Sequence, residues 1–226
     1  MSLRETVSVT CPSCRKAYDT SVWSTINTDT DPKAAEKLIA GELFDDGCPN
    51  CGKVHPLNYP MVFHDPEHLV MISYITDASE YRDKVDEIEK LFEDQPQVSP
   101  ESGYRHRIVT TQNALREKAV IFYNGLDDRL VEMLKVIYSE QVLAQYQNVQ
   151  FKDVFFLINP KGDWFMQFLA DRPITIRVDK NVYEGLKKQM EKELALPQNE
   201  QFTIDMEWAY LKVNEKNKEL EQQKIN

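Results

Sequence analysis

The chain has 226 residues, of which 42% are hydrophobic and 28% charged, a composition typical of a globular protein that buries a substantial core. Its formal net charge is −10, and the first 75 residues carry six basic against ten acidic side chains. Proteins that bind nucleic acids draw most of their affinity from Lys and Arg at the phosphates, so this balance argues against that class. No uncharged apolar run is long enough for a membrane span or a signal peptide, and we expect a cytoplasmic protein that does not enter a membrane.

In the first 60 residues, two short cysteine motifs flank a predicted strand and a predicted helix. Residues 17–28 are rich in β-branched and aromatic side chains and predict the strand. Residues 31–44 predict the helix, with Asp31 as its N-cap and Pro32 at the first helical position. The apolar residues expected on one face of this helix are Leu38, Ile39 and Leu43.

The middle of the chain predicts a hairpin and an amphipathic helix. Residues 61–63 and 69–75 are predicted strands joined by the turn-prone sequence HDPEH. Residues 78–94 carry apolar side chains at helical spacing. Residues 94–103, with two prolines and a glycine, predict a loop, and residues 107–110 a short strand.

The second half predicts helices around a small sheet. Helices are expected at 111–122 and 127–144, on either side of an Asn-Gly break. Three successive antiparallel strands are expected between residues 151 and 180. A helix is expected at 181–194, and the C-terminal tail from residue 199 is predicted to be helical and then too polar to bury a face.

The four cysteines form two Cys-Pro-x-Cys motifs, Cys11 with Cys14 and Cys48 with Cys51. Cytoplasmic thiols stay reduced, so these residues favour metal ligation or redox chemistry over disulfides. Four thiolates match tetrahedral Zn²⁺ and leave no open coordination position, which favours a structural zinc site, with inert or redox-active thiols as the alternative. The 33 residues between Cys14 and Cys48 exceed the spacing of a compact zinc ribbon, and the strand and helix between the motifs are therefore an insertion.

The residue after each motif governs how the chain leaves the turn. Gly52 follows the second motif, and glycine permits the positive φ that such a turn requires. Arg15 stands in the same place after the first motif, so this turn must either leave by another geometry or carry strain. Arg15, Lys16 and Lys53 are near enough to the cysteines to stabilise a negative metal site, or they are simply solvated turn residues.

The histidines offer few further ligands. His55 could replace one cysteine, although a surface turn histidine is the favoured interpretation. His64 and His68 flank a proline, which disfavours a second metal site there. His106 lies between two arginines and is predicted to be exposed.

Two other groups of residues invite a functional reading, and for both a structural role is favoured. Asp127 and Asp128, with Glu132 one turn later, are typical of a helix N-terminus. A set of aromatic residues favours core packing over a ligand pocket or a partner surface. This set is Phe151, Phe155, Phe156, Trp164, Phe165 and Phe168. The sequence contains no phosphate-binding loop, nucleophile elbow or H-E-x-x-H motif, so no catalytic residue is assigned and a familiar enzyme class is disfavoured.

The segments VTCPSCRKAYD and DGCPNCGK resemble the CpXC family of bacterial and archaeal proteins. The resemblance continues through DPKAAEKLIAGEL, through FHD at residues 63–65 and through residues 114–135. It implies a prokaryotic protein with a zinc site on Cys11, Cys14, Cys48 and Cys51, and it implies no known activity.

The predicted fold class is α+β, with an N-terminal zinc-ribbon-like knuckle module followed by an antiparallel sheet packed with helices. We expect a CpXC-type region at 1–145, divided into the knuckle module at about 5–76 and a helical part at about 78–145. An α+β region with a polar tail is expected at 146–226.

The predicted role is that of a protein-interaction or scaffold module with a structural Zn²⁺, an unknown protein partner, no membrane or nucleic-acid partner, and the capacity to form a homo-oligomer. The alternatives are a thiol-disulfide oxidoreductase, a zinc-dependent hydrolase or a zinc-ribbon protein associated with nucleic acid.

Overall fold

The computed structural model describes residues 1–146, 149–196 and 201–225, with side chains up to residue 215. Two units emerge from the contacts within the chain. Unit 1 comprises Met1–Ala119 with Gln198–Phe202, and unit 2 comprises Val120–Pro197 with Thr203–Asn226. The two regions expected from the sequence, 1–145 and 146–226, are a separate division of the chain and stay a prediction.

Unit 1 is built on a five-stranded sheet with the strand order β1-β2-β5-β6-β7, and β3 and β4 form a separate hairpin. The strands are β1 (Leu3–Thr10), β2 (Ala17–Asn27), β3 (Asp45–Gly47), β4 (Val54–Pro56), β5 (Met61–Asp65), β6 (Val70–Tyr74) and β7 (Arg105–Val109). The helices are α1 (Pro32–Ala40), α2 (Tyr81–Asp94) and α3 (Gln112–Tyr123), and the division between the units falls within α3.

The five-stranded sheet is mixed rather than antiparallel. β2 pairs with β5 in parallel and β6 pairs with β7 in parallel, while the β1–β2 and β5–β6 pairs are antiparallel. Parallel neighbours need a long connection, and the segments containing α1 and α2 supply it. The sequence showed these helices, but not that the strands on either side of each would pair.

A fully buried row of side chains crosses the sheet. Ile26, Phe63 and Ile72 lie side by side in register, and each is completely buried. Burial of side chains of this size stabilises a fold by about 1.5–3 kcal/mol each. The row continues into Arg107 on β7, whose Nη1 donates to the carbonyls of His106 and Gln201.

Helix α1 ends four residues earlier than predicted, at Ala40. Gly41 adopts φ +84° and its amide closes the helix onto the Leu38 and Lys37 carbonyls. Arg116 then donates from Nε to the Ile39 carbonyl at 2.8 Å. Leu43, expected on the helix face, therefore lies beyond the helix.

Unit 2 packs helices against a three-stranded antiparallel sheet of order β10-β9-β8, as predicted. Its elements are α4 (Asp128–Gln145), β8 (Phe151–Ile158), β9 (Trp164–Ala170), β10 (Ile174–Arg177), α5 (Lys180–Gln189), α6 (Glu191–Leu194) and α7 (Met206–Ile225). Phe156, Trp164 and Phe168 lie in the core, and the Trp164 ring meets Phe156 and Tyr183 edge to face. Helix α7 continues into the polar tail, whose side chains from residue 216 onward lie outside the described residues.

His106 is buried, which contradicts the predicted exposure. Only 3% of its surface is accessible, and its Nε2 donates to the Val98 carbonyl at 2.7 Å. The Phe92 ring packs on it edge to face. The flanking arginines gave a misleading signal because Arg107 is itself buried, with its guanidinium bonded to backbone carbonyls, and β7 is buried on both faces.

Burial lowers the pKa of His106 to about 4, from an ordinary value of 6.5. The unfolded chain binds a proton at this imidazole below about pH 6.5, whereas the folded chain resists protonation down to about pH 4. The contribution of His106 to the unfolding free energy is therefore fully present above pH 6.5 and is lost as the pH falls toward 4. Its upper bound is about 3 kcal/mol.

We predict that His106→Gln, which keeps a donor for Val98 but does not titrate, flattens this pH dependence. Opening free energies from amide hydrogen exchange in β6 and β7 at pH 7 and pH 5 measure the effect. Wild type should lose more stability between these pH values than the variant. Equal losses in both proteins would show that His106 does not titrate in this window.

Candidate metal centre

The two cysteine motifs close two hairpins with the same backbone geometry. The first turn joins β1 to β2 and the second joins β3 to β4. In the first, the Cys11 amide donates to the Lys16 carbonyl at 3.0 Å and the Arg15 amide to the Cys11 carbonyl at 2.8 Å. In the second, the Cys48 amide donates to the Lys53 carbonyl at 3.0 Å and the Gly52 amide donates to the Cys48 carbonyl at 2.8 Å. Each turn is thus a rigid six-residue loop.

Both turns leave through the left-handed region. Gly52 has φ +70°, as predicted, and Arg15 has φ +60°. Arg15 therefore takes the geometry that glycine would take rather than another exit, and its Cβ carries the steric cost of this conformation. The strain anticipated for the first turn is present in its backbone.

The turns bring the four sulfur atoms together. All four Sγ atoms lie within 4.8 Å of one another, with Cys11 to Cys51 at 3.7 Å and Cys14 to Cys48 at 3.8 Å. A tetrahedron with Zn–S bonds of about 2.3 Å has edges of about 3.8 Å. The sulfur spacing therefore fits a tetrahedral metal ion of this size, whereas a disulfide would need about 2 Å.

Backbone amides point at the sulfurs. The Cys14 amide, with help from the Ser13 amide, donates to Cys11 and lowers the pKa of that thiol to about 6. The Lys53 amide donates to Cys51 and by itself lowers its pKa. Desolvation of the sulfur and hydrogen bonds from the Cys51 S–H to the other three sulfurs favour the protonated thiol and raise the pKa to about 11. Successive thiolates become harder to form as negative charge accumulates, and a cation held among them offsets that charge.

Asp46 braces the second hairpin against the first. Its carboxylate accepts hydrogen bonds from the Tyr18 hydroxyl at 2.5 Å and from the Thr20 hydroxyl at 2.7 Å, both on β2. The hydrogen bond to Asp46 raises the pKa of Tyr18. Since Asp46 lies on β3, one residue before Gly47 and two before Cys48, these bonds position the second turn opposite the first. The contact could not be predicted from the sequence because no local motif distinguishes Asp46 from other acidic residues.

His55 lies beside the sulfur cluster. It sits on β4 opposite Asp46, and its Nε2 is 3.4 Å from the Cys11 Sγ. A thiolate only accepts hydrogen bonds, so the Nε2–H donates to sulfur. His55 thus supports one of the four cysteines, and the cluster of ligand atoms found among the described residues consists of the cysteines. The prediction of a plain turn histidine overlooked this contact.

The other candidate residues lie elsewhere. His64 bonds Tyr104 at 3.1 Å and Asn27 at 3.3 Å, and His68 pairs with Asp65 at 2.8 Å. Arg15, Lys16 and Lys53 have exposed side chains.

The acidic group and the aromatic group of unit 2 both have structural roles. Asp127 caps α4 by accepting from the Arg129 amide, as predicted, and Asp128 and Glu132 are buried on that helix. Phe155 and Phe165 of the aromatic set are half-buried, while Phe151 packs edge to face on the buried Phe168.

Comparison with protein families gives one assignment. A family model described as CpXC protein matches residues 9–135, more than half of the chain. The chain belongs to the CpXC family. The CpXC match contains both cysteine turns, the Asp46 brace and His55, and it ends within α4. Comparison with curated proteins and with solved structures finds no match to this chain.

We predict that Gly52→Ala destabilises the second turn by about 1 kcal/mol, because alanine disfavours positive φ. Amide exchange of Cys48 and Gly47 in reduced protein should accelerate about fivefold. Gly47→Ala is the matched control, since its φ is ordinary and no atom lies within 4 Å of an added Cβ. The reciprocal Arg15→Gly should slow exchange in the first turn. No difference between the Gly52 and Gly47 variants would contradict the strain argument.

We predict that His55→Phe, which removes the donor to Cys11, weakens zinc binding about tenfold in competition with a chromophoric chelator. His55→Gln retains a donor and should lose less. His68→Gln, a histidine outside the cluster, serves as the control. Equal zinc affinity in all three variants would remove His55 from the metal centre.

Proposed function

We propose that Cys11, Cys14, Cys48 and Cys51 hold one structural Zn²⁺ in a zinc-ribbon-like module, and that this module presents a protein-binding surface. The sulfur spacing carries the metal proposal, since 3.7 and 3.8 Å agree with the edge of a ZnS₄ tetrahedron. The amide donors and the His55 contact supply the outer hydrogen bonds that metal thiolates need. When bound, the ion would join the two hairpins and contribute its binding energy to folding.

The thiol chemistry argues against a disulfide catalyst. An attacking cysteine needs both a lowered pKa and access to its substrate. Here Cys11, whose pKa the turn amides lower, is only 1% exposed, so its sulfur has little access to a substrate disulfide.

A hydrolytic centre is also disfavoured. A catalytic zinc keeps one position for water, and four cysteine ligands occupy all positions of a tetrahedron. Among the described residues, the cluster adds no carboxylate or histidine ligand to the cysteines.

The helices in the described part of the chain lack the length and apolar composition of a membrane span. We assign the module to the cytoplasm and expect its partner to be a protein.

We predict one zinc per chain in protein purified under reducing conditions, and well under one in Cys48→Ser. Ser13→Ala, in the same kind of turn but with all thiols intact, should retain the metal. Replacement by Co²⁺ should give the absorption of a tetrahedral four-sulfur site rather than that of three sulfurs and one nitrogen. Wild-type protein with little metal and four freely titrating thiols would overturn the proposal.

A further inference from the structure

Strand β1 forms an edge of the five-stranded sheet. Within the described residues it pairs with β2 alone. Alternate backbone N–H and C=O groups of β1 therefore point away from the sheet, where another extended chain can accept and donate hydrogen bonds.

The second half of this edge lacks the usual protection. Edge strands are commonly protected by charges, proline, bulges or a covering segment. In β1 the charges are Arg4 and Glu5 and the irregular register lies between Leu3 and Arg4, all in the first half. Residues 6–10, with the sequence TVSVT, are uncharged, regular in register and β-branched at four of five positions.

A cavity of about 400 Å³ adjoins the same half of β1. Val7 and Val9, on one face of the strand, line one wall together with Tyr18 and Val22 of β2. Leu57 and Tyr59 line the opposite wall. The cavity thus has the size and apolar lining of a small ligand or side-chain site.

The wall formed by residues 57–59 is held in place. The Leu57 amide donates to the Phe44 carbonyl at 2.8 Å, and Gln112 Nε2 donates to the Leu57 carbonyl at 2.6 Å. The rings of Phe44 and Tyr59 are 5.0 Å apart. A wall fixed from two sides loses little conformational entropy when a ligand binds.

Three exposed basic residues belong to the two cysteine turns beside the cavity. Pro12 of the first turn and His55 both line the cavity. Arg15 and Lys16 follow Pro12 closely, Lys53 precedes His55 by two residues, and all three basic side chains are exposed. In a chain of net charge −10, this local positive group favours acidic ligands.

We propose that an extended segment of a partner protein adds to the outer edge of β1 and places an apolar side chain in the adjoining cavity, with acidic residues toward the two turns. Main-chain hydrogen bonds at a strand edge supply affinity, and pockets for alternate side chains supply specificity. This inference rests on the proposed interaction function and names its surface and ligand class. The zinc module holds the pocket by fixing Pro12 and His55.

The test uses the full zinc-loaded chain and a display library of random 12-residue peptides. Enriched peptides should carry an apolar residue next to Asp or Glu and should slow amide exchange in residues 6–10 when added as synthetic peptides. N-methylation of every second amide of the peptide should abolish binding when it blocks the amides that face β1. The same modification on the amides that point away from β1 should leave binding intact.

Two adjacent positions provide a matched pair of variants. Val7→Lys places a charge in the cavity and should weaken peptide binding at least tenfold, whereas Ser8→Lys, on the opposite face of β1, should change it much less.

The double variant Lys16→Glu with Lys53→Glu should reduce the preference for acidic peptides, and Lys33→Glu on α1 is its control. Zinc content and amide exchange of β5 and β6 show whether each variant is folded.

Several results would overturn the proposal. The proposal is wrong if the selection shows no enrichment over bare beads, or if the selected peptides bind Val7→Lys as tightly as wild type. It is also wrong if peptide binding leaves the amides of residues 6–10 unprotected from exchange. A concentration-dependent dimer that protects β1 without peptide would assign the edge to a second copy of this chain. One zinc per chain without peptide binding removes this surface but leaves the metal proposal intact, and absent zinc removes the metal proposal itself.

Discussion

The convergence of four sulfur atoms within 4.8 Å is the constraint on which the N-terminal half of the protein depends. Thiolates at this spacing repel one another, and the surrounding chain is arranged to offset that repulsion. Backbone amides of the turns point inward, His55 donates to Cys11, and a divalent cation would balance the remaining charge. The repeated turn geometry follows from the same need, because it directs the amides toward the sulfurs.

The two hairpins differ in how they are supported. The first is continuous with the five-stranded sheet through β1 and β2, so its position is set by a long register of main-chain hydrogen bonds. The second has strands of three residues each and depends on Asp46, which binds two hydroxyls of β2. Loss of the Asp46 contact would leave the contacts among the four cysteines and His55 as the principal tie between the hairpins.

The same packing explains why the cavity beside β1 lies next to the four cysteines. Residues Pro12, Ser13, Arg15 and Lys16 of the first turn are exposed, and the strand before this turn, β1, is an edge of the sheet. The cavity forms where the face of β1 and β2 meets the segment after β4. Arg15, Lys16 and Lys53 of the two turns are exposed.

The family, the four cysteines and most helices and strands could be predicted from the sequence, because periodicity and turn chemistry are local signals. Residues 151–180 read correctly as three antiparallel strands, since short turns separate alternating apolar runs. Gly52 could be placed at positive φ from its motif alone. The end of α1 was predicted too late because Gly41 was not recognised as its C-cap.

Tertiary structure decided what depends on contacts between distant segments. The parallel pairs β2–β5 and β6–β7, the Asp46 brace, the His55 contact and the burial of His106 all join residues that no local pattern relates. The sequence by itself determined which residues could hold a metal and that Arg15 occupied a glycine position. Only the folded chain decided that Arg15 accepts the left-handed geometry, because the hydrogen bonds of the turn and the register of β1 with β2 hold the backbone there.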